Sequence, residues 1–303
     1  MTSHTQSKSL MSIVNTSSPI GADVAIIQAP YEATVSYGKG AAHGPEKILE
    51  ALEGKVEFFD RNYKLEINKF LKIACLDAHD MSTLSPEQAL AHLVEQTQSV
   101  VSSGAFPFLL GGEHSVTLGP LTALVQEYNP AEVTIVQLDA HCDLRENDAD
   151  YSEHPSHLAH SCVMRRAHEL GYQLVQVGIR TYAKSEYEYF SAHPNTIHVF
   201  EWGATTPSMA SILHAIQTKY VYITIDADGF DPAFMPATGT PVQGGIDWWY
   251  GVELLSQVIR AHQVVGADIV EVAPVPTSVL TEYGAAQLFY SMVAEVFKSK
   301  FSA

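Results

Sequence analysis

The sequence predicts an α/β fold of three layers, α/β/α, built around a mainly parallel sheet of about eight strands, and three observations carry this expectation. Short apolar runs alternate with helical patterns between residues 24 and 297. Most of those runs are apolar on both faces, as strands read when helices cover a parallel sheet from both sides. The polar clusters of note fall at the carboxyl ends of the runs, where open α/β sheets gather their ligands.

In chain order, residues 24–27 (VAII) read as the first strand, followed by a loop through Gly38 and Gly40 and a helix opened by Pro45. A second strand spans 70–77. Ser85 then opens a helix with Pro86 at its first position and Gln88 three residues on, a capping-box pattern. The third strand, 105–110, runs into GGEHS at 111–115 and a helix near 121–128. The fourth, 133–138, delivers DAHCD, and after a polar loop a helix runs from about 162 to Gly171. Strands follow at 174–179, 196–200 and 220–225, with a Tyr/Glu-rich helix and a helix over 208–217 between them. The seventh of these strands enters Asp226-Ala227-Asp228. A helix over 248–261, an eighth strand over 267–272 around Glu271, and a helix over 285–297 complete the pattern. Gly229 is read as allowing a sharp turn after Asp228.

With 303 residues, 46% of them hydrophobic, and no linker or repeat, the chain reads as one domain over 20–303 after a Ser/Thr-rich flexible arm over 1–19. That arm has neither a signal-type apolar core nor a membrane span. Seventeen Lys and Arg against 34 Asp and Glu give a formal charge of −17, which opposes nucleic acid and anionic membranes and favours cationic ligands, divalent metals included. Three cysteines without a CxxC pair argue against a disulfide scaffold or thiolate zinc site and for a reducing cytoplasm.

Asp139, His141 and Asp143 stand at i, i+2 and i+4, and on extended backbone all three share a face, with Ala140 and Cys142 turned the other way. Taken alone, the pattern also fits a polar loop capped by hydrogen bonds. Asp226 and Asp228 repeat the spacing at another strand end, and His114 stands at a third. Two His and four Asp suit a pair of divalent ions about 3.5–4 Å apart, an arrangement that clamps and ionises water. Carboxylate and imidazole without thiolate favour manganese, with iron, cobalt and nickel as alternatives. Glu271, on a neighbouring strand, is read as an unpaired carboxylate able to grip a planar guanidinium. By contrast, Asp77-Ala78-His79-Asp80 copies the motif without its last carboxylate and is read as structural. His154, His157 and His168 are read as surface histidines, and Trp248 and Trp249 as core or interface.

On these residues the chain resembles the ureohydrolases, the arginase/agmatinase family, over essentially its whole folded length. The motifs are GGEHS at 111–115, LDAHCDLR at 138–145, HSCVMRR at 160–166, TIDADGFDPAFMPATGTP at 224–241 and DIVEVAP at 268–274. The fourth is most similar to agmatinases, which hydrolyse agmatine to putrescine and urea. The resemblance implies an arginase/deacetylase-like fold and two Mn²⁺ per subunit. It places His114 and Asp143 on one ion, His141 and Asp228 on the other, and Asp139 and Asp226 across both. It implies His160 as proton shuttle, a task that an ordinary imidazole pKa suits near neutral pH. Asp143, close to the nucleophile, is read as the candidate relay of a proton to the leaving nitrogen. At Glu113 many relatives carry Asp, and that position supports the loop without binding metal. Homotrimers or homohexamers are implied too, and a late helix with Phe289 and Tyr290 is read as needing cover.

For the substrate, the segment before His160 lacks the pattern with which arginase-like members read an α-amino acid. Glu146, Asp148, Asp150 and Glu153 are read as favouring a distal ammonium, against Arg145 alone. Agmatine fits best, 4-guanidinobutyrate is the alternative if Arg145 points inward, and simple guanidines follow. A non-catalytic metal-stabilised scaffold and a single-zinc deacetylase are the competing classes. His114 and His141 argue against the deacetylase.

Overall fold

Residues 13–301 are described by the computed structural model. The strands are β1 (Val14–Thr16), β2 (Val24–Ala29), β3 (Phe59–Asp60), β4 (Leu65–Glu66), β5 (Ile73–Cys75), β6 (Phe106–Gly111), β7 (Val133–Leu138), β8 (Gln173–Ile179), β9 (Ile197–Glu201), β10 (Tyr220–Asp226) and β11 (Gln263–Val270). The helices are α1 (Gly44–Leu52), α2 (Pro86–Ser102), α3 (Leu118–Leu124), α4 (Val163–Glu169), α5 (Lys184–Ala192), α6 (Met209–Ala215), α7 (Trp248–Ala261) and α8 (Leu280–Val296). Nine strands form one sheet in the order β1-β5-β2-β6-β11-β10-β7-β8-β9, and every pairing in it is parallel. The eight strands read from the sequence are all present. The ninth, β1, falls in the stretch expected to be a flexible or loosely docked arm.

Of that arm, residues 1–12 lie outside the described residues. From Ile13 the chain is already folded, because Ile13 is buried and Val14–Thr16 pairs with β5, so the boundary at 20 is corrected to an earlier position. The short antiparallel hairpin of β3 and β4 was not legible either, since two-residue strands carry no measurable period.

Alternation along each strand builds the two sides of the core. Val24 and Ile26 pack with residues of α1, α7 and α8 in one cluster. Ala25 and Ile27 face Leu93 and Val100 of α2 in another. Ile135 and Leu174 meet Leu121 of α3 and Met164 of α4 on that same side of the sheet. Both faces of the sheet are covered by largely apolar layers, which is why the strands read as near-continuous hydrophobic runs. No helix among the described residues is long and apolar enough to cross a membrane.

Candidate metal centre

Four strands that are neighbours in the sheet, β6, β11, β10 and β7, end at one rim, and each sends polar side chains there. Beyond β6 the chain passes Gly112, where a Cβ would stand 2.1 Å from the Tyr31 carbonyl oxygen, into the 3-10 turn His114–Thr117. Only glycine permits that approach of two backbones.

The motif after β7 converges, with extended pairing alongside β8 carried on only as far as His141. β7 stops at Leu138, the Asp139 carboxylate folds back to accept the His141 N–H at 2.7 Å, and Asp143 has a φ of 52°. Strand alternation therefore serves for Asp139 and His141, while a left-handed residue turns Asp143 in after them. Ala140 and Cys142 are buried, Cys142 against Val163 and Met164 of α4. Asp226 ends β10, and its carboxylate accepts the Asp228 N–H at 2.8 Å within the 3-10 turn Ala227–Gly229. The chain turns there as read, with Gly229 closing the 3-10 turn without a positive φ. Its Cβ would lie 2.6 Å from the Asp139 nitrogen, so close packing on the end of β7 selects glycine there.

These turns bring the six residues together. His114 Nδ1 stands 3.1 Å from Asp139, 3.0 Å from Asp143 and 3.4 Å from Asp226. His141 Nδ1 stands 3.2 Å from Asp228 and 3.5 Å from Asp139. Two groups have ligand atoms within 4.8 Å of one another, His114 with Asp139 and Asp226, and Asp139 with His141 and Asp228. Asp139 belongs to both. Asp226 falls in the His114 group and not in the His141 group, so of the two carboxylates read as bridging, Asp139 is the one near both histidines.

The donor set fits divalent cations. His114 Nε2 lies 2.9 Å from the Thr224 hydroxyl, which donates to Asp268 at 2.6 Å. With that hydroxyl hydrogen committed, Thr224 accepts from Nε2–H, and the neutral ring keeps its lone pair on Nδ1. Nδ1 is buried without a hydrogen-bond partner, facing three carboxylates, so something positive must lie between them. Among the described residues, the ion pairs of the four aspartates involve only these two histidines.

With protons as the only cations, burial and the repulsion of Asp228 and Asp139 push the Asp226 carboxyl well above its ordinary range. Burial and Asp139 push Asp143 up to about 6. Both histidines are raised as the surrounding carboxylates outweigh burial. A bound dication reverses that logic by favouring ionised carboxylates and neutral imidazoles.

Glu271 follows β11 with a φ of 58°, and its Oε1 accepts the His114 N–H at 2.7 Å. The unpaired-carboxylate reading is thus corrected: one oxygen is already tied to the loop, and the other is left for a ligand. His160 begins the 3-10 turn His160–Cys162, and burial holds its imidazole below the ordinary value expected from sequence. Together with His141, Asp143, Asp226 and Glu271 it lines a cavity of about 310 Å³.

Other residues of that cavity went unread. Glu186 is buried, accepts the Leu144 and Ala183 N–H groups, and lines the cavity beside Tyr151. Arg145 pairs with Asp150 and stands 4.0 Å from Glu186. The loop acids read as an ammonium field are largely engaged: Glu146 with Arg165 at 3.0 Å, Asp148 with the Ser156 N–H at 2.6 Å, and Asp150 with Arg145. Behind the ligands, Gln137 donates to Asp139 at 2.6 Å, and Gln176 donates to the Cys142 carbonyl at 2.6 Å. A signal for these existed. Gln137, Gln176, Thr224 and Asp268 are polar positions inside strands otherwise buried and apolar, which is costly unless each is hydrogen-bonded.

The motif copy at 77–80 stays exposed, with His79 against His92, as its structural reading requires. His154 and His157 are exposed as read, whereas His168 is half-buried. It bonds Tyr189 at 2.7 Å and Thr196 at 2.9 Å.

Comparison with known proteins agrees with this geometry. The family model described as "Arginase family" matches residues 22–294. The N(1)-aminopropylagmatine ureohydrolase of Synechocystis sp. is 35% identical over 280 residues, covering 90% of this chain and 88% of its own. The agmatinase of Bacillus subtilis is 34% identical over 262 residues, covering 84% of each chain. The crystal structure of agmatine ureohydrolase of Thermoplasma volcanium superposes with a TM-score of 0.80 at 26% identity, over 95% of this chain and 94% of that one. A parallel sheet with acid and imidazole side chains gathered at one rim, matched by family over nearly the whole chain, leaves a single assignment: this protein belongs to the arginase family of ureohydrolases.

Proposed function

We propose that the protein hydrolyses agmatine and water to putrescine and urea with two manganese ions per subunit, in the cytoplasm. The observation that carries the substrate is the charge of the cavity. Beyond Asp143 and Asp226, whose charge two dications would offset, Glu186 and Glu271 line it against Arg145, whose guanidinium is already held by Asp150 and Glu186. Such a cavity suits a ligand cationic at both ends, and it offers no free cation to the carboxylate of arginine or 4-guanidinobutyrate.

When bound, the two divalent ions supply a water ionised near neutral pH. The Glu271 oxygen not engaged by His114 takes guanidinium N–H groups and orients the reacting carbon. Asp143, 3.0 Å from His114, takes a proton released in the site and returns it to the leaving nitrogen in this reading. His160, in the cavity wall, exchanges protons between the site and solvent.

A second reading, N1-aminopropylagmatine, is favoured by the similarity to the Synechocystis ureohydrolase and by the same excess of acid, which suits an additional ammonium. Urea release by the manganese-loaded protein with agmatine, N1-aminopropylagmatine, 4-guanidinobutyrate and arginine separates the readings. We expect kcat/KM for agmatine to exceed the last two by about tenfold or more, the scale of a 1.4 kcal/mol discrimination. A tenfold preference for either of them overturns the proposal, and one for N1-aminopropylagmatine selects the second reading. Bound metal near two equivalents accompanies the result. One zinc with acetate release, or no turnover, would instead mark the deacetylase or the scaffold.

A further inference from the structure

Glu113 is fully buried beside the metal-type residues yet points none of its hydrogen-bonding capacity at them. One oxygen accepts the N–H groups of Ala33 at 2.7 Å and Thr34 at 2.6 Å. The other accepts the hydroxyls of Thr34 at 2.8 Å and of Ser115. About four acceptor sites are what a carboxylate offers, so all are taken. The Thr34 hydroxyl hydrogen is thereby committed. Its oxygen accepts the His160 backbone N–H at 3.0 Å and stands 3.3 Å from His160 Nδ1. A hydroxyl that has spent its single hydrogen attracts a ring nitrogen only if that nitrogen brings the proton.

From this geometry we infer that Thr34, anchored by Glu113, is a positioning residue that holds His160 in the Nδ1–H tautomer and keeps Nε2 as the nitrogen that accepts a proton. The same hydroxyl grips the backbone and the ring of His160, so one contact fixes both the start of the 3-10 turn and the orientation of the imidazole. The loop that supplies Thr34 also supplies Ser36 to the cavity wall, which ties this contact to the site. The inference rests on the reading of His160 as proton carrier. It would not survive a ring that carries its proton on Nε2.

The test uses full-length, zinc-loaded protein labelled with 15N at histidine, measured above neutral pH, with the His160 ring signal assigned by its loss in His160→Asn. We expect the wild type and Thr34→Ser to carry the proton on Nδ1, and Thr34→Val to lose that preference. In the manganese-loaded enzyme, Thr34→Val should lower kcat by roughly tenfold or more, part of the ~10²–10⁴ available to positioned acid–base groups. KM and the metal content should stay near wild type, and Thr34→Ser should restore kcat to within about threefold. An Nε2–H tautomer in the wild type overturns the inference, as do an unchanged tautomer and kcat in Thr34→Val or a loss of metal there. The wild-type spectrum decides the tautomer even if Thr34→Val fails to fold. Because it requires no turnover, it also separates a failure of this inference from a failure of the agmatine assignment.

Discussion

At the scale of the residue, the chemistry turns on which atoms already have partners. His114 is held from behind by Thr224, and Thr224 by Asp268, whose other oxygen accepts the Tyr222 hydroxyl at 2.7 Å. Partners of this kind fix the tautomer of a ligating imidazole, and their loss costs about 10–100-fold in metal affinity. Thr224→Val is therefore expected to weaken metal binding by about that factor in a metal-buffer titration, and unchanged affinity would refute the assigned tautomer. Asp139 reaches both histidines, so Asp139→Ala should lose metal and activity together. Asp226→Ala should do the same, by removing a carboxylate 3.4 Å from His114. Elemental analysis finding two full equivalents in either variant would remove that residue from the ligand set.

At the scale of the element, the turns after the strands are more demanding than the strands themselves. Gly229→Ala would force a Cβ against the Asp139 nitrogen and the Leu138 carbonyl carbon, both 2.6 Å away. Overpacking of this kind costs roughly 1–3 kcal/mol, and here it also displaces Asp228, so both melting temperature and activity should fall. Retained activity would mean that the turn adapts. Helix α2 gives the contrasting case. Ser85 accepts the Gln88 N–H at 3.3 Å while Gln88 accepts the Ser85 N–H at 2.9 Å, the reciprocal cap read from the sequence. Ser85→Ala should cost about 1 kcal/mol, seen in denaturant unfolding, and leave kcat/KM alone. Trp248, read as core or interface, packs on Phe230, whereas Trp249 is exposed under Arg61.

At the scale of the whole molecule, the formal charge of −17 should steer a doubly cationic substrate. Raising ionic strength from about 0.01 M to 1 M shortens the screening length from about 30 Å to about 3 Å. The proposed agmatine kcat/KM should fall several-fold over that range, and a flat profile would show that the field does not reach the substrate. Assembly into trimers or hexamers remains the expectation from family resemblance, and light scattering that finds only monomer at micromolar concentration would end it. One motive for it is withdrawn. Phe289 and Tyr290 are buried within the chain, Phe289 against Phe108 and Tyr290 against Phe58, so α8 needs no second subunit to cover them.

What the sequence determined by itself was local: apolar runs of strand and helix period, the Ser85 cap, and His and Asp clustered at strand ends. These follow from periodicity and side-chain chemistry within a few residues, and they sufficed for the three-layer fold and the candidate ligands. The strand order was decided elsewhere. Only the tertiary structure inserts β11 and β10 between β6 and β7, setting four motif-bearing strands side by side at spacings of about 4.8 Å. It alone sets the positive φ of Asp143 and Glu271, which surrounding packing must impose on residues that disfavour it. Thr34 meets His160 across 126 positions of chain. A contact of that range leaves no local pattern, because its energy is realised only after the sheet has assembled and the two loops share one rim.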